Sequence, residues 1–346
     1  MKIRFALLSC ILFSLISFIF LFNKHSEEGM PKISLKGDKI ITINAGEKYK
    51  ESGFKAIDSV DGDITSNVKI SNNINYKLPG TYEIIYKVKN SSGVRAENHR
   101  FVRIISKPYY KKDYDKIDNT TRGWWATNKK DGTRPSGGAD INELKKYNAY
   151  YMGPDEKTIY LTFDEGALDT YVKEIVDVLD KNGVKATFFL CYKFMEENKD
   201  LIKKMVDNGH LIGNHTVNHK NMPSLATKEN FNEYLYEIQK VEEIYFNITG
   251  RKMDKIYRDP KGEWSFRDLQ IMKDLGYKSY FYSAYYMDFG NNVSKEHALN
   301  ELTKRYHNGA IYLLHPKNKG NLEALEPFIN EMKNKGYKFD IVKNIP

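Results

Sequence analysis

Two patterns alternate in the second half of the chain. Short apolar runs rich in β-branched and aromatic residues (KTIYLTF, KATFFLC, HLIGN, DKIYR, YKSYFYSA, GAIYLLH and YKFDIV) are separated by amphipathic stretches such as TYVKEIVDVLDKNG, TKENFNEYLYEIQKVEEIYF and NLEALEPFINEMKNKG. The first kind predicts buried strands, and the second predicts helices that lay one apolar face on a sheet. Seven such strands alternating with helices predict a parallel α/β sheet, either a barrel or an open doubly wound sheet, over residues 150–346.

Residues 30–106 have another rhythm. KIITINAG, NVKISNN, TYEIIYKVKN and RFVRIIS are short strand-like runs separated by the turn signals DGD, LPG and SSG, the pattern of a small β-sandwich. Its Asp-rich DSVDGDIT either shapes a turn or binds calcium. Residues 107–149 are polar and tyrosine-rich, a linker that becomes a lead-in packed on the following domain. Trp124 and Trp125 in this stretch either bury against that domain or stack on sugar rings.

The first 29 residues add a membrane question. Phe5 to Phe22 is an uncharged apolar run of 18 residues, near the minimum for a membrane span, with Lys2 and Arg4 before it. It predicts a transmembrane anchor or uncleaved signal with the bulk of the chain outside the cytoplasm, because no convincing cleavage site follows. The soluble part has a single cysteine, Cys191, so no intramolecular disulfide forms there. The net charge of +9 is scattered along the chain, which suits an anionic surface or polymer such as membrane or cell wall. No nucleic-acid motif appears, and no nucleic-acid partner is expected.

Chemistry gathers at the ends of the predicted strands. Asp164 and Glu165 end the first, His215 and His219 follow the third, Arg258 the fourth, Asp288 the fifth and His315 the sixth. In a β/α barrel those ends share one rim, where active sites form. Two histidines four apart plus a carboxylate make a divalent-metal site with positions left open for water and substrate.

The segments TFDEG, HTVNH, RDPKG, MDF and LLH, in that order, resemble the five motifs of the NodB-type polysaccharide deacetylases, the family 4 carbohydrate esterases. Residues 31–106 resemble a bacterial Ig-like module through AGEKYKESGFKAIDSVDGDIT and PGTYEIIYKVKNSSG. The family resemblance implies a distorted (β/α)7 barrel and a metal-dependent N-deacetylase that releases acetate. It assigns Asp164 as general base, Arg258 as its partner, and His315 as general acid tuned by Asp288. It makes His215, His219 and Glu165 the ligands of one divalent ion, zinc first, with cobalt or manganese as alternatives. It gives Lys261 the oxyanion N–H, and it sets Phe289 and Leu313 around the acetyl methyl. KTIYLTF, GHLIGNHTVNH, GAIYLLH and KYNAYYMG resemble the sporulation branch of the family. That likeness implies peptidoglycan as partner, with peptide-free N-acetylmuramic residues converted towards muramic δ-lactam in spore cortex. N-acetylglucosamine in peptidoglycan or another glycan is the alternative substrate, and a catalytically weak glycan-binding relative is the non-enzymatic alternative. The expected location is the cell membrane, with the catalytic domain outside, or the spore envelope.

Three positions depart from the family pattern. Glu165 stands where aspartate is usual and adds a methylene; Phe289 stands where tryptophan is frequent; and Asp259 places a rival carboxylate beside the Arg258 guanidinium.

Overall fold

A computed structural model describes residues 30–346 apart from 78–79, 106–108, 128, 131, 167–170 and 290–292. The apolar segment expected to anchor the chain, Phe5 to Phe22, lies outside these residues. Among the described residues no helix is long and apolar enough to cross a membrane. The chain divides into two compact units at residue 108.

The first unit is all-β. Strands β1 (Lys32–Leu35), β3 (Phe54–Asp58) and β4 (Gly62–Asp63) form one sheet. Strands β2 (Ile40–Asn44), β5 (Lys69–Asn72), β6 (Gly80–Lys89) and β7 (Arg95–Ile105) form the other, in the order β2-β7-β6-β5. Alternate residues of β6 and β7 turn inward, so Ile84, Tyr86, Val88, Val102 and Ile104 join Ile33 and Ala56 in one core. The Asp-rich segment is shaped by its own carboxylates. Asp58 accepts from the N–H of Val60 at 2.9 Å and Asp61 at 3.0 Å, and Asp63 accepts from that of Thr65 at 3.0 Å. These are the bonds a tight turn uses.

The second unit contains strands β8 (Arg122–Gly123), β9 (Ala149–Tyr150), β10 (Thr158–Glu165), β11 (Thr187–Leu190), β12 (Leu211–Asn214), β13 (Ile256–Tyr257), β14 (Glu263–Trp264), β15 (Lys278–Tyr280), β16 (Ala310–Leu314) and β17 (Lys338–Phe339). Its helices are α1 (Ile141–Lys146), α2 (Val172–Lys181), α3 (Tyr192–Glu197), α4 (Lys199–Asp207), α5 (Met222–Leu225), α6 (Phe231–Thr249), α7 (Phe266–Asp274), α8 (Lys295–Lys304) and α9 (Lys319–Asn334). A parallel sheet runs β16-β10-β11-β12-β13-β15-β9, with β17 beside the start of β10. Strands β11 and β12 are buried at every position, as parallel strands covered on both faces must be. Helix α2 closes one face with Val172, Ile175, Val176 and Leu179, the spacing of a single apolar stripe. Between β15 and β16 the sheet is joined only by isolated bridges such as Ala284↔Tyr312, so it is a curved, incompletely closed barrel.

All seven predicted strands are present, but their places differ from a simple seven-strand succession. The edge beside β15 is taken by β9 from the lead-in, with Tyr150 stacked on Tyr280, while the last strand returns to β10. The lead-in is therefore part of the second unit. Strand β8 pairs with β14, and Trp124 stacks on Phe281 with ring centroids 4.1 Å apart while its Nε1 donates to the Tyr282 carbonyl at 2.9 Å. Trp124 is buried and Trp125 is 49 % exposed, so the two adjacent tryptophans have different surroundings.

Candidate active site

The C-terminal ends of the parallel strands open into a cleft of about 750 Å³, within the size range of small-ligand sites. Nine of the ten candidate residues line it, and the tenth, Asp288, is fully buried behind His315.

Strand β10 sets the first group. Residues two apart on a strand share a face, so Thr162 and Asp164 point the same way. Arg258, just past β13, reaches both: its Nη1 donates to Thr162 Oγ1 and to Asp164 Oδ1, each at 2.7 Å. Its Nε and Nη2 donate to the carbonyls of Tyr280 at 2.8 Å and Phe281 at 3.1 Å. The guanidinium lies 4.3 Å from the centroid of the Phe189 ring. That ring sits where a side chain on residue 213 would be, 2.6 Å from any Cβ built there, so Gly213 makes room for it. Burial alone would raise the Asp164 carboxyl, but the charge and hydrogen bond of Arg258, with the imidazole of His315 beyond it, outweigh it and hold the group below the usual carboxylate range.

The expected rivalry from Asp259 does not occur. Asp259 accepts from Tyr257 Oη at 2.9 Å and lies against the Asp268 carboxyl of α7, to which Tyr234 Oη also donates, and one buried oxygen of each acid has no other partner. Two buried carboxyls this close favour sharing a proton, and burial pushes both upward. Asp259 is thus a neutral or shared acid, and Arg258 is left to Asp164.

The histidine loop follows β12. His215 Nδ1 donates to the Arg258 carbonyl at 2.9 Å, which leaves Nε2 with its lone pair 3.8 Å from Asp164 Oδ2. His219 packs edge-on against His215, with ring centroids 4.9 Å apart. Burial, and for His219 also the neighbouring imidazole, lowers both groups, His219 to about 4. Both are therefore neutral at physiological pH, the form in which imidazole ligates metal. The loop itself is strained: Thr216 and His219 have φ of 69° and 55°. It is pinned by Asn214 Oδ1 on the Thr216 N–H at 2.9 Å and by Thr216 Oγ1 on the His219 N–H at 3.0 Å. Glu237 of α6, fully buried, accepts from the N–H groups of Val217 at 2.9 Å and Asn218 at 2.7 Å.

These features fit two legs of a divalent-metal site, two neutral imidazoles with one of them oriented by a carbonyl from behind. A third leg is not gathered with them. Among the described residues no three His, Cys, Asp or Glu groups converge closely enough to hold an ion. Glu165 is still paired within the sheet, opposite Leu190, and consecutive strand residues face opposite sides. Its side chain therefore leaves the strand on the other side from that of Asp164, although both acids line the cleft and both act on Cys191. The Cys191 thiol, buried and facing these acids, is pushed well up and donates to the His215 carbonyl at 3.1 Å. That keeps it an unreactive thiol.

His315 closes the opposite side. Its Nδ1 donates to Asp288 Oδ1 at 2.7 Å and its backbone N–H to Oδ2 at 2.6 Å. Burial would lower the imidazole, but the bond and charge of Asp288 raise it above the ordinary histidine value. Asp288 is fixed in turn by Asn321 Nδ2 at 2.7 Å and by Asn318, whose Nδ2 donates to its carbonyl. Phe289 stands edge-on to His315 at 5.6 Å and is 55 % exposed, while Leu313 and Lys261 complete the lining. Lys261 has φ 59°, a left-handed bend inside the RDPKG segment.

Sequence reasoning passed over Thr162, Glu237, Asn318 and Asn321. Each has a signal in hindsight. Thr162 lies two residues before the base on one strand, and Glu237 is, with Glu242, one of two acids buried along α6. Asn318 and Asn321 form a capping pair directly after LLH, where Asn318 Oδ1 accepts from the Asn321 N–H at 2.8 Å.

The fold and this site define a polysaccharide deacetylase of the family 4 carbohydrate esterases, and the chain belongs to that family. The family model for polysaccharide deacetylase matches residues 152–280, and that for the Ig-like domain of bacterial surface proteins matches residues 33–104. The chain is 39 % identical over 215 residues to the peptidoglycan-N-acetylmuramic acid deacetylase PdaA of Bacillus subtilis, covering 61 % of this chain and 80 % of that one. It is 33 % identical over 201 residues to a peptidoglycan-N-acetylglucosamine deacetylase of Bacillus cereus, covering 57 % and 71 %. The solved structure of B. subtilis PdaA superposes with a TM-score of 0.62 at 35 % identity, over 66 % of this chain and 98 % of that one. The protein is a hydrolase, preceded in the chain by an Ig-like domain.

Proposed function

We propose that this protein is a metal-dependent N-deacetylase of peptidoglycan, acting on N-acetylmuramic residues that have lost their peptide, on the way to muramic δ-lactam in spore cortex. The observation that carries the chemistry is the pair of oppositely biased groups in one cleft. Arg258 bonds Asp164 and favours its ionised form, and Asp288 bonds His315 and favours its protonated form. The likeness to PdaA supports the muramic substrate. We further place the protein at the membrane, held by its first 29 residues with both units outside, where peptidoglycan lies.

His215 and His219 would hold one divalent ion, for which imidazole donors suit zinc. When bound, that ion supplies a Lewis acid for the amide carbonyl and makes water a better nucleophile. The remaining steps belong to the chain. Asp164 Oδ1 is occupied by Arg258, so Oδ2 takes the proton of the attacking water. The Lys261 N–H, turned by its left-handed backbone, stabilises the oxyanion. An amine cannot leave as an anion, and His315 Nε2 protonates it while Nδ1 stays bonded to Asp288. Leu313 and Phe289 wall the acetyl methyl and thin the water around it.

The test is acetate release by the full chain from peptide-free glycan strands, intact peptidoglycan and chito-oligomers, with chelator and with added divalent metal. Release from peptide-free strands that chelator abolishes is the expected result. Release from chito-oligomers alone would replace the muramic reading with a glucosamine one, and no release from any substrate would overturn the proposal.

A further inference from the structure

Three lysines surround the cleft, and none takes part in the chemistry derived above through its side chain. Lys193 comes from α3, Lys261 from the loop after β13, and Lys317 from the loop between His315 and α9. Each is exposed, each lines the cleft, and among the described residues none makes an ion pair. Other lysines of this unit differ in this respect, some paired with acids, as Lys204 with Asp177, Lys220 with Glu233 and Lys255 with Glu242, and others, such as Lys199, Lys203 and Lys228, exposed on the outer surface; what sets these three apart is that they share one cleft. The carboxylates inside the cleft do not answer the three ammonium groups. Asp164 is paired with Arg258, Glu165 is buried at the end of β10, and Asp259 lies against the Asp268 carboxyl. The cleft is therefore lined by three exposed lysines from three separate elements, none of them in an ion pair among the described residues.

We propose that Lys193, Lys261 and Lys317 form an anion subsite that binds a carboxylate on the sugar being deacetylated, namely the free lactyl carboxylate of a muramic residue. The inference rests on the muramic reading above and deepens it. In a muramic residue the lactyl ether and the acetamido group sit on adjacent ring carbons, so a reacting amide in the cleft places the lactyl group at its mouth. When peptide is attached, that carboxylate is an amide and carries no charge. The lysines thus read the free carboxylate as the mark of a residue stripped of peptide. Lysine suits this role, because a flexible point charge tolerates a carboxylate that swings about its ether bond.

The experiment compares soluble muramic oligosaccharides bearing the free lactyl carboxylate with the same oligosaccharides converted to the neutral methylamide. Affinity is measured by calorimetry and acetate release by kinetics, on the full chain and on Lys193→Gln, Lys317→Gln and the double variant. Lys261 is left in place because its backbone N–H belongs to the chemistry. Each exposed pair is worth about threefold in affinity. The unsubstituted chain should then prefer the carboxylate by about tenfold or more, and each variant should lose about threefold of that preference, through KM rather than kcat. Added salt should shrink the preference. An equal preference in the double variant, or no preference in the unsubstituted chain, overturns the inference. Absence of acetate from both substrates would sink the deacetylase reading instead, and the affinity ratio would still decide the role of the lysines.

Discussion

Arg100 of the Ig-like unit and Arg258 of the deacetylase unit are both buried, and each ion-pairs with a carboxylate, Glu51 at 2.6 Å and Asp164 at 2.7 Å. Burial and pairing alone do not separate them. The difference lies in the carboxylate. Both oxygens of Glu51 are taken: Oε1 by Arg100 and the Gly53 N–H at 2.7 Å, Oε2 by Tyr49 Oη at 2.7 Å and by Tyr86 Oη. Asp164 gives Oδ1 to Arg258, and its Oδ2 faces the cleft, with His215 Nε2 at 3.8 Å. A saturated carboxylate is a structural fastening, whereas one with an open oxygen held ionised is a base in waiting. The pair in the Ig-like unit orders a sandwich, and the pair in the deacetylase unit prepares a reaction.

The sharpest way to break the comparison is to neutralise each acid. Asp164→Asn should lower kcat by about a thousandfold, the scale of a lost general base, with thermal unfolding little changed. Glu51→Gln should leave kcat alone and cost the Ig-like unit about 1–3 kcal/mol, the scale of leaving the buried Arg100 without its charged partner, read by denaturant unfolding. Turnover retained in the first variant, or lost in the second, would erase the distinction.

Asp288→Asn comes next. The general acid works only while protonated, so activity is present below the His315 pKa and is lost as pH rises through it. Asp288 raises that value. Its replacement should lower kcat by about a hundredfold and move the alkaline limb of the kcat/KM profile to lower pH. An alkaline limb that stays in place would show that another group is the acid. Glu237→Gln is smaller again. It weakens the bonds that hold the strained HTVNH loop, and it should cost about tenfold in metal affinity by titration calorimetry, the low end for a supporting residue. A variant binding metal as tightly as the unsubstituted chain would show that the loop holds itself.

The sequence shows the strands and their chemistry because both are local: an apolar run followed by an acid, a histidine or an arginine needs no tertiary knowledge. What it hides is set by the facing of side chains and by distant partners. Asp164 and Glu165 are neighbours in the chain, yet the sheet pairing that continues through Glu165 turns their side chains apart within one cleft, so a shared metal role cannot be read from adjacency. The edge place of β9 depends on Tyr150 meeting Tyr280, 130 positions further on. Asp259 beside Arg258 reads as a competitor only until α7 brings Asp268 to it.

That last pair gives the smallest effect and the closest contrast with Asp164. Within one loop, Arg258 keeps one acid ionised while Asp259 and Asp268 keep a proton between them. Both of the latter are raised by burial first and, for Asp259, by the neighbouring charge of Asp268. A carboxyl raised on folding contributes stability that is present below its unfolded value and is lost as pH rises through its folded one. The unfolded value is about 4, so the loss should begin above it and grow towards alkaline pH. Asp268→Asn keeps a donor for Asp259 and removes the need for a shared proton. It should therefore flatten the alkaline fall of Tm by a few degrees, roughly the shift that 1 kcal/mol produces in a domain of this size, while leaving Tm near pH 5 close to that of the unsubstituted chain. An equal alkaline slope in both proteins would mean that the two carboxyls do not share a proton, and that Asp259 competes for Arg258 after all.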